Sequence, residues 1–568
     1  MKKFAKAIGL VVASLSLAAC LACAPTNKPE DSDCVITFSA GQGAFADGKT
    51  SVDVKPNGNG NVTMTSAPRR DGYAFDGWYD DAVKFDPAAT YTQDRTFTAK
   101  YVSGGESIVY DALFDENARV TVDINMSDTE WKKLNQDYLD FSANGGKSPI
   151  YRMANSVTVG IDGGDGYLYY YYEEVGVRMK GNTSRHAFYG DDGFTNNIHM
   201  KLSFKETFDD TDDGYKHDEL KEWSDEEKRD ERKARTLGGM EKIDVKYNST
   251  ADETYVRELY AMKLFRDNGI YAPNVTLCAL TALEKDGAKK NLGVYRIHEP
   301  IDEAFVAKHI EPDCVGDLWK CTYTAKGPAD MTNTDLDNRV GVEDELKNKF
   351  YSYDKKTNKK KDKNTGLRDF SSIKNFIQAM DQSNADYESL IDAYYFAKFE
   401  AVNYILGNPD CIRNNYNNYY LYFRADGKAI IIPYDYDRCL GITKDWNPTG
   451  SASMNVAPYT RTVAATGEQQ KNPLYINLID KGAPTDSGSA LMRYRQNLID
   501  LSASRDLTAA TFNAYKDKFK SKYGDIPASA IYSNRVAFDD ANTGNVPYST
   551  YIATKLKTLN DNIDNYNP

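Results

Sequence analysis

Apolar and polar residues follow several distinct rhythms along the chain. Behind Lys2, Lys3 and Lys6 comes an apolar run over residues 7–19, the pattern of a signal peptide whose hydrophobic stretch is too short for a permanent bilayer-spanning helix. Residues 20–33 are a polar tether with no apolar period. Period-two alternation in Val35-Ile36-Thr37-Phe38 and Val62-Thr63-Met64-Thr65, separated by Gly, Pro and Asn clusters, predicts a compact β-rich module. Residues 120–124 read as a strand, and Ser127-Asp128-Thr129-Glu130 as a capping box that opens a helix at Trp131. A second strand region is predicted over residues 167–180, after the turn Gly163-Gly164-Asp165-Gly166. Val256, Leu259, Tyr260, Lys263 and Leu264 fall on helical spacing, so residues 251–268 should form an amphipathic helix with Gly269 just past its end. Residues 390–406 predict another, ending at Gly407. From about Ile108 onward the pattern is mixed α and β.

Composition narrows the function classes. The chain has 568 residues, and 83 acidic against 70 basic side chains give a net charge of −13. This removes any general electrostatic case for nucleic-acid or anionic-membrane binding. The 41 tyrosines outnumber phenylalanine (23) and tryptophan (5), a bias that suits an exported protein with wet interfaces. Eight cysteines are too few for a disulfide scaffold and too scattered for a zinc ribbon. None of the five histidines lies in a His-x-x-x-His or Cys/His cluster, and no Gly-x-Ser-x-Gly elbow occurs, so hydrolase chemistry of either kind has little support. The charged stretches 209–235 and 355–363 read as solvated insertions. Outside the cell, Cys411 with Cys439, or Cys314 with Cys321, are candidate disulfides; reduced thiols account for the count equally well.

The candidate chemistry lies between Gly407 and Gly441. Residues 419–423 and 429–432 can pair across Asp426-Gly427 as a hairpin. That fold carries Asp410 and the neighbouring asparagines to one end and returns Asp435 and Asp437 beside them. Carboxylates and an asparagine amide at one strand end suit Mg²⁺, with Mn²⁺ or Ca²⁺ as alternatives, and one carboxylate left off the metal can accept a hydroxyl proton. Kinases divide their labour in this way. Turn chemistry alone also produces such Asn- and Asp-rich hairpin mouths.

Three resemblances to known families follow from these residues. Leu17-Ala18-Ala19-Cys20 resembles the lipobox of bacterial lipoproteins, which implies lipidation of Cys20 and anchoring on the extracellular face of the membrane; an ordinary secreted protein is the alternative. Residues 72–80 (Gly-Tyr-Ala-Phe-Asp-Gly-Trp-Tyr-Asp) and 94–101 (Asp-Arg-Thr-Phe-Thr-Ala-Lys-Tyr) resemble the internalin B-type (Listeria–Bacteroides) repeat. That resemblance implies a β-grasp-like spacer over residues 34–101, followed by a linker at 102–107. Six further motifs, in order, resemble the CotH kinase family: Val177-Arg178-Met179-Lys180-Gly181-Asn182-Thr183-Ser184-Arg185, Met200-Lys201-Leu202, Tyr255-Val256-Arg257-Glu258, residues 268–273 with 293–302, Gly407-Asn408-Pro409-Asp410 with Asn418-Tyr419-Tyr420-Leu421-Tyr422, and Ile432-Pro433-Tyr434-Asp435-Tyr436-Asp437. The implied architecture is an α+β, atypical two-lobed protein-kinase-like domain over residues 108–568, its core ending near 500.

Position by position, the resemblance implies that Asp410 is the catalytic aspartate and that Asp435, with Asp437 sharing the role, binds metal together with Asn418 or Asn415. It implies that Lys201 contacts phosphate with Glu258 as ion-pair partner, and that Arg178, Lys180 and Arg185 add positive charge toward ATP. The strand from Tyr295 to Glu299 resembles a hinge along the adenine. Three departures stand out: Asn196 and Asn197 occupy the place where a lysine is often found, Tyr434 replaces a frequent tryptophan, and no Gly-x-Gly-x-x-Gly loop is present. The implied partners are nucleotide and an exported, cell-surface or spore-coat protein, with the membrane reached only through the lipid anchor. The alternative function is a non-catalytic adhesion or scaffold protein with a kinase-like fold.

Overall fold

The period-two segments become strands in the computed structural model, which describes residues 34–563 apart from internal stretches, the longest being 443–460. The proposed signal peptide, Cys20 and the tether lie outside the described residues, as do positions 63–65 of the predicted second strand. No described helix is long and apolar enough to cross a membrane. The chain divides into two compact units, one from residues before 100 without 68–76, the other from 68–76 and residues from 100 onward.

The first unit is β-rich. Strands β1 (Ile36–Ser39), β2 (Ser51–Val54), β3 (Ala74–Asp80), β4 (Val83–Lys84) and β5 (Arg95–Val102) form one sheet in the order β2-β1-β5-β3-β4. Alternation along β1 buries Ile36 and Phe38. Phe38 meets the edges of Trp78 at 4.9 Å and Phe85 at 5.0 Å, so the aromatic positions of the repeat motif form its core.

The second unit is mixed α and β. Its first half runs α1 (Glu106–Leu113), β6 (Arg119–Asn125), α2 (Asp128–Ser142), β7 (Arg152–Asp162), β8 (Tyr167–Lys180), the short strands β9 (Tyr189–Gly190) and β10 (Gly193–Phe194), β11 (His199–Ser203), α3 (Glu226–Lys233), β12 (Lys242–Tyr247), α4 (Arg257–Asp267), β13 (Val275–Leu283) and β14 (Lys289–His298). Seven of these strands close into a barrel in the order β11-β12-β14-β13-β6-β7-β8. Because side chains alternate, Val177, Met200, Val245 and Ile297 point into an apolar core with Trp131 of α2. The register places Arg178 opposite Lys201, Lys201 opposite Asp244, and Asp244 opposite His298. These four form one polar row on the other face.

The second half holds α5 (Glu303–His309), β15 (Leu318–Cys321), α6 (Leu336–Arg339), β16 (Val340–Gly341), β17 (Tyr353–Lys355), α7 (Ser371–Met380), α8 (Tyr387–Leu390), α9 (Ala393–Leu406), β18 (Tyr419–Phe423), β19 (Ala429–Pro433), and then α10 (Ala490–Ser502), α11 (Ala509–Tyr523) and α12 (Tyr548–Asn562). A five-stranded sheet, β16-β17-β15-β18-β19, packs with these helices around a second core. The predicted hairpin forms, with Tyr419 opposite Pro433 and Phe423 opposite Ala429.

Several expectations are corrected. Helix α2 begins at Asp128, not Trp131, because the Ser127 hydroxyl accepts from Glu130 N at 3.2 Å and caps three residues earlier. Helix α4 begins at Arg257 rather than near 251. The Asp252 carboxylate accepts from Thr254 N (3.0 Å) and Arg257 N (3.1 Å), and Tyr255 sits at φ 63°, so a side-chain-stabilised turn replaces the first helical turn. Stretch 209–235 is only partly solvated, since Tyr215 is buried with Phe208, Ile150 and Tyr151. Lys355 is buried and pairs with Asp317 at 2.7 Å. Neither disulfide forms: the six described cysteines, Cys34, Cys278, Cys314, Cys321, Cys411 and Cys439, are buried thiols outside any disulfide.

Candidate active site

Helix α9 delivers the acidic loop. Its end is fixed by Gly407 at φ 60°, a left-handed conformation natural to glycine, and the chain turns at once into Asn408-Pro409-Asp410. The Asn408 carboxamide accepts from Asp410 N at 3.0 Å and donates to the Asp435 carbonyl at 3.4 Å, tying the two acidic segments together. Asp410 is then held by three amides: Asn415 (2.8 Å) and Asn417 (3.0 Å) donate to Oδ1, and Asn418 (3.0 Å) donates to Oδ2. Asn418 and Asp435 adopt φ 55° and 59°, a region these side chains tolerate better than most. Tyr434 N donates to Asn418 O at 3.2 Å. Burial pushes the Asp410 carboxyl above its ordinary value, against the pull of the amides, and the charge of Asp435 pushes the same way.

The polar face of the barrel meets this loop. Lys180 of β8 pairs with Asp244 of β12 and donates to the Tyr434 hydroxyl at 3.1 Å, while Lys201 of β11 reaches the other Asp244 oxygen at 3.5 Å. Lys246, two residues beyond Asp244 on the same face, pairs with Asp435 Oδ1 at 2.8 Å. Burial, with neighbouring Lys201 and Lys246 adding to it, lowers the Lys180 ammonium to about 8 even beside Asp244. Burial would raise the Asp435 carboxyl, but Lys246 and then Lys180 outweigh it and hold the group at about 2.

Asp437 differs from its neighbour. It has no ion pair or hydrogen bond among the described residues, and burial, Asp435 and Glu258 together push it up to about 7. A carboxyl raised by adjacent carboxylates is one that a cation would relieve. Among the described residues, no three His, Cys, Asp or Glu side chains form a cage that could hold a metal ion by themselves. The donor set of Asp435, Asp437 and asparagine amides instead fits Mg²⁺, which is commonly held by one or two carboxylates and completes its shell with phosphate and water.

Of the residues predicted for the site, Asp410, Asn415, Asn418, Asp435, Lys180 and Lys201 belong to this linked set. Lys201 and Glu258 do not pair: Lys201 faces Asp244, and buried Glu258 lies 2.7 Å from Arg296 and 3.5 Å from His298. The physical reason is register, which puts Asp244 directly beside Lys201. Arg178 pairs with Glu345 at 2.6 Å, and Arg185 donates to Gly146 O at 2.8 Å and Asn182 O at 3.3 Å. Glu299 is committed within the fold, to His309 at 2.8 Å and Asn274 N at 2.8 Å. Tyr295 of the hinge-like strand points into the barrel core. Asp244, Lys246, Arg296 and Asn417 were missed. The alternation in Lys242-Ile-Asp-Val-Lys-Tyr247 was a usable signal, since it puts Asp244 and Lys246 on one face.

Two family models match the chain. Residues 35–100 match the Listeria-Bacteroides repeat domain. No curated protein matches the chain. Residues 177–493, more than half of the chain and including the acidic loop with Lys180, Lys201 and Lys246, match the family model described as CotH kinase protein. The chain belongs to the CotH kinase protein family.

Proposed function

We propose that this protein is a phosphotransferase that moves the γ-phosphoryl group of ATP to a serine or threonine hydroxyl of an exported, cell-surface or spore-coat protein. The observation that carries the reading is Asp410, a carboxylate oriented by three asparagine amides and tied through Asn408 to Asp435, whose own partner is a lysine of the opposing barrel face. The barrel is the nucleotide-covering lobe of a two-lobed kinase-like arrangement, and the part built on the five-stranded sheet and α9 is the catalytic lobe.

Asp410 accepts the proton of the acceptor hydroxyl as its oxygen bonds to the γ-phosphorus. The bond from that phosphorus to the β,γ-bridging oxygen breaks, and ADP leaves with the electron pair. Lys180, Lys201 and Lys246 stabilise the phosphate charge from the barrel side, with Arg178 and Arg185 at its border. Asp435 and Asp437, with the amide oxygen of Asn418 or Asn415, would hold Mg²⁺, which would supply positive charge to offset that of the phosphates. Glu258 acts through Arg296 rather than by touching nucleotide. Lipidation of Cys20 anchors the protein on the outer membrane face, with the repeat as spacer.

Ligand-induced stabilisation tests this reading. Mg²⁺-ATP raises Tm, whereas ATP with chelator raises it less, and Asp435→Ala removes the metal-dependent part. A Tm that ignores Mg²⁺-ATP at millimolar concentration contradicts the proposal and favours a scaffold.

A further inference from the structure

Lys320 lies on β15, with Tyr420 of β18 and Asp354 of β17 as its cross-strand neighbours. Its Nζ stands 5.1 Å from the centroid of the Tyr434 ring. Two barrel lysines approach the same ring, Lys246 at 5.3 Å and Lys180 at 5.6 Å. Three ammonium groups from three strands therefore converge on the residue immediately before Asp435.

The carboxylates around Lys320 are already taken. Asp244 serves Lys180 and Lys201, and Asp435 serves Lys246. Asp354 pairs with Lys356, which also lies 3.7 Å from Glu343, and Lys147 reaches Glu343 at 3.9 Å. Glu345 is held by Arg178 at 2.6 Å. Among the bases in these pairs and Lys320, the Lys320 ammonium alone has no ion-pair or hydrogen-bond partner among the described residues. Burial lowers its ammonium below the ordinary value, with Lys356 and Lys180 adding to the effect. A largely enclosed, uncompensated cation costs free energy unless an anion completes the site.

We infer that Lys320 is a phosphate-binding residue that grips the terminal phosphates of the nucleotide from the side of the five-stranded sheet, opposite the barrel lysines. The inference rests on the phosphotransferase reading. Its place beside Tyr434 sets Lys320 at the reacting end of the nucleotide, where three ammonium groups converging on one ring suit a polyphosphate rather than a neutral group.

The test titrates the full chain, wild type and Lys320→Met, with Mg²⁺-ATP, Mg²⁺-tripolyphosphate and adenosine; Lys363→Met, at an exposed position, is the control. Lys320→Met is expected to weaken ATP and tripolyphosphate roughly tenfold to a hundredfold, leave adenosine unchanged and raise the unliganded Tm, since it removes an uncompensated cation. The control behaves as wild type. Unchanged ATP affinity in Lys320→Met overturns the inference and leaves the phosphotransferase reading intact. Equal weakening of all three ligands overturns it too, by showing a general distortion. If wild type binds neither ATP nor tripolyphosphate, both readings fall together.

Discussion

Lys180 makes the barrel face sensitive to pH. Its ammonium, ordinarily at 10.5, sits at about 8 in the folded chain because burial outweighs the attraction of Asp244. The native state thus releases this proton earlier than the unfolded chain. Between about pH 8 and 10.5 the unfolded state binds more protons, so this group's contribution to stability rises with pH across that window. Phosphate binding runs the other way, since a neutral amine cannot stabilise an anion. Mg²⁺-ATP affinity is expected to fall as pH rises through about 8, and Lys180→Arg, which stays charged, to flatten that fall; titrations from pH 7 to 9 check it. Asp410, Asn415 and Asn418 were legible in the sequence because all three lie within one short loop. Alternation could place Asp244 and Lys246 on one face but not in the site, because their partners come from residues 180, 201 and 435, and only strand register brings those together.

At the scale of elements, α9 and its two ends set the loop. Asp392 caps the helix by accepting from Tyr395 N at 2.9 Å, and Gly407 closes it in the left-handed region. The stop at Gly407 was read from the sequence, whereas the start at Asp392 was not, since the predicted helix began at residue 390. Asp392→Ala is expected to cost about 1 kcal/mol and Gly407→Ala about 1–2 kcal/mol, measured by denaturant unfolding. Helix α9 also carries a buried polar hub that periodicity could not reveal. Glu400 pairs with Arg413 and accepts from Tyr475 at 2.6 Å and Asn403 at 3.1 Å, while Asn403 accepts from Tyr436 at 2.9 Å. One carboxylate thereby ties the segment after Asp410 to the residue between Asp435 and Asp437. Glu400→Ala removes the carboxylate that pairs with the buried Arg413 guanidinium, so unfolding should show a loss of about 3–5 kcal/mol; a loss below about 1 kcal/mol would deny the hub its role.

At the scale of the molecule, the net charge of −13 conceals a local reversal, with lysines gathered on one barrel face. The chain beyond the family match is part of the same fold. The Tyr523 hydroxyl accepts from Val120 N at 2.8 Å and donates to Leu277 O at 2.7 Å, and the Tyr551 hydroxyl donates to Ile405 O at 2.7 Å, one residue before the end of α9. The docking of α11 and α12 was not legible in the sequence, because it depends on single hydroxyls meeting distant backbone. Truncation after residue 504 should abolish cooperative unfolding followed by circular dichroism; a truncated chain with wild-type Tm would make these helices an appendage.

The central claim, that the Asp410 loop performs phosphoryl transfer, is tested most directly with γ-labelled ATP. The full chain is incubated with Mg²⁺, labelled ATP and a generic Ser/Thr acceptor, beside Asp410→Ala, whose binding of Mg²⁺-ATP is confirmed separately. Label should pass to the acceptor or to the chain itself with wild type, and fall by at least about a hundredfold with Asp410→Ala. Absence of transfer by wild type, or equal transfer by Asp410→Ala, would contradict the account.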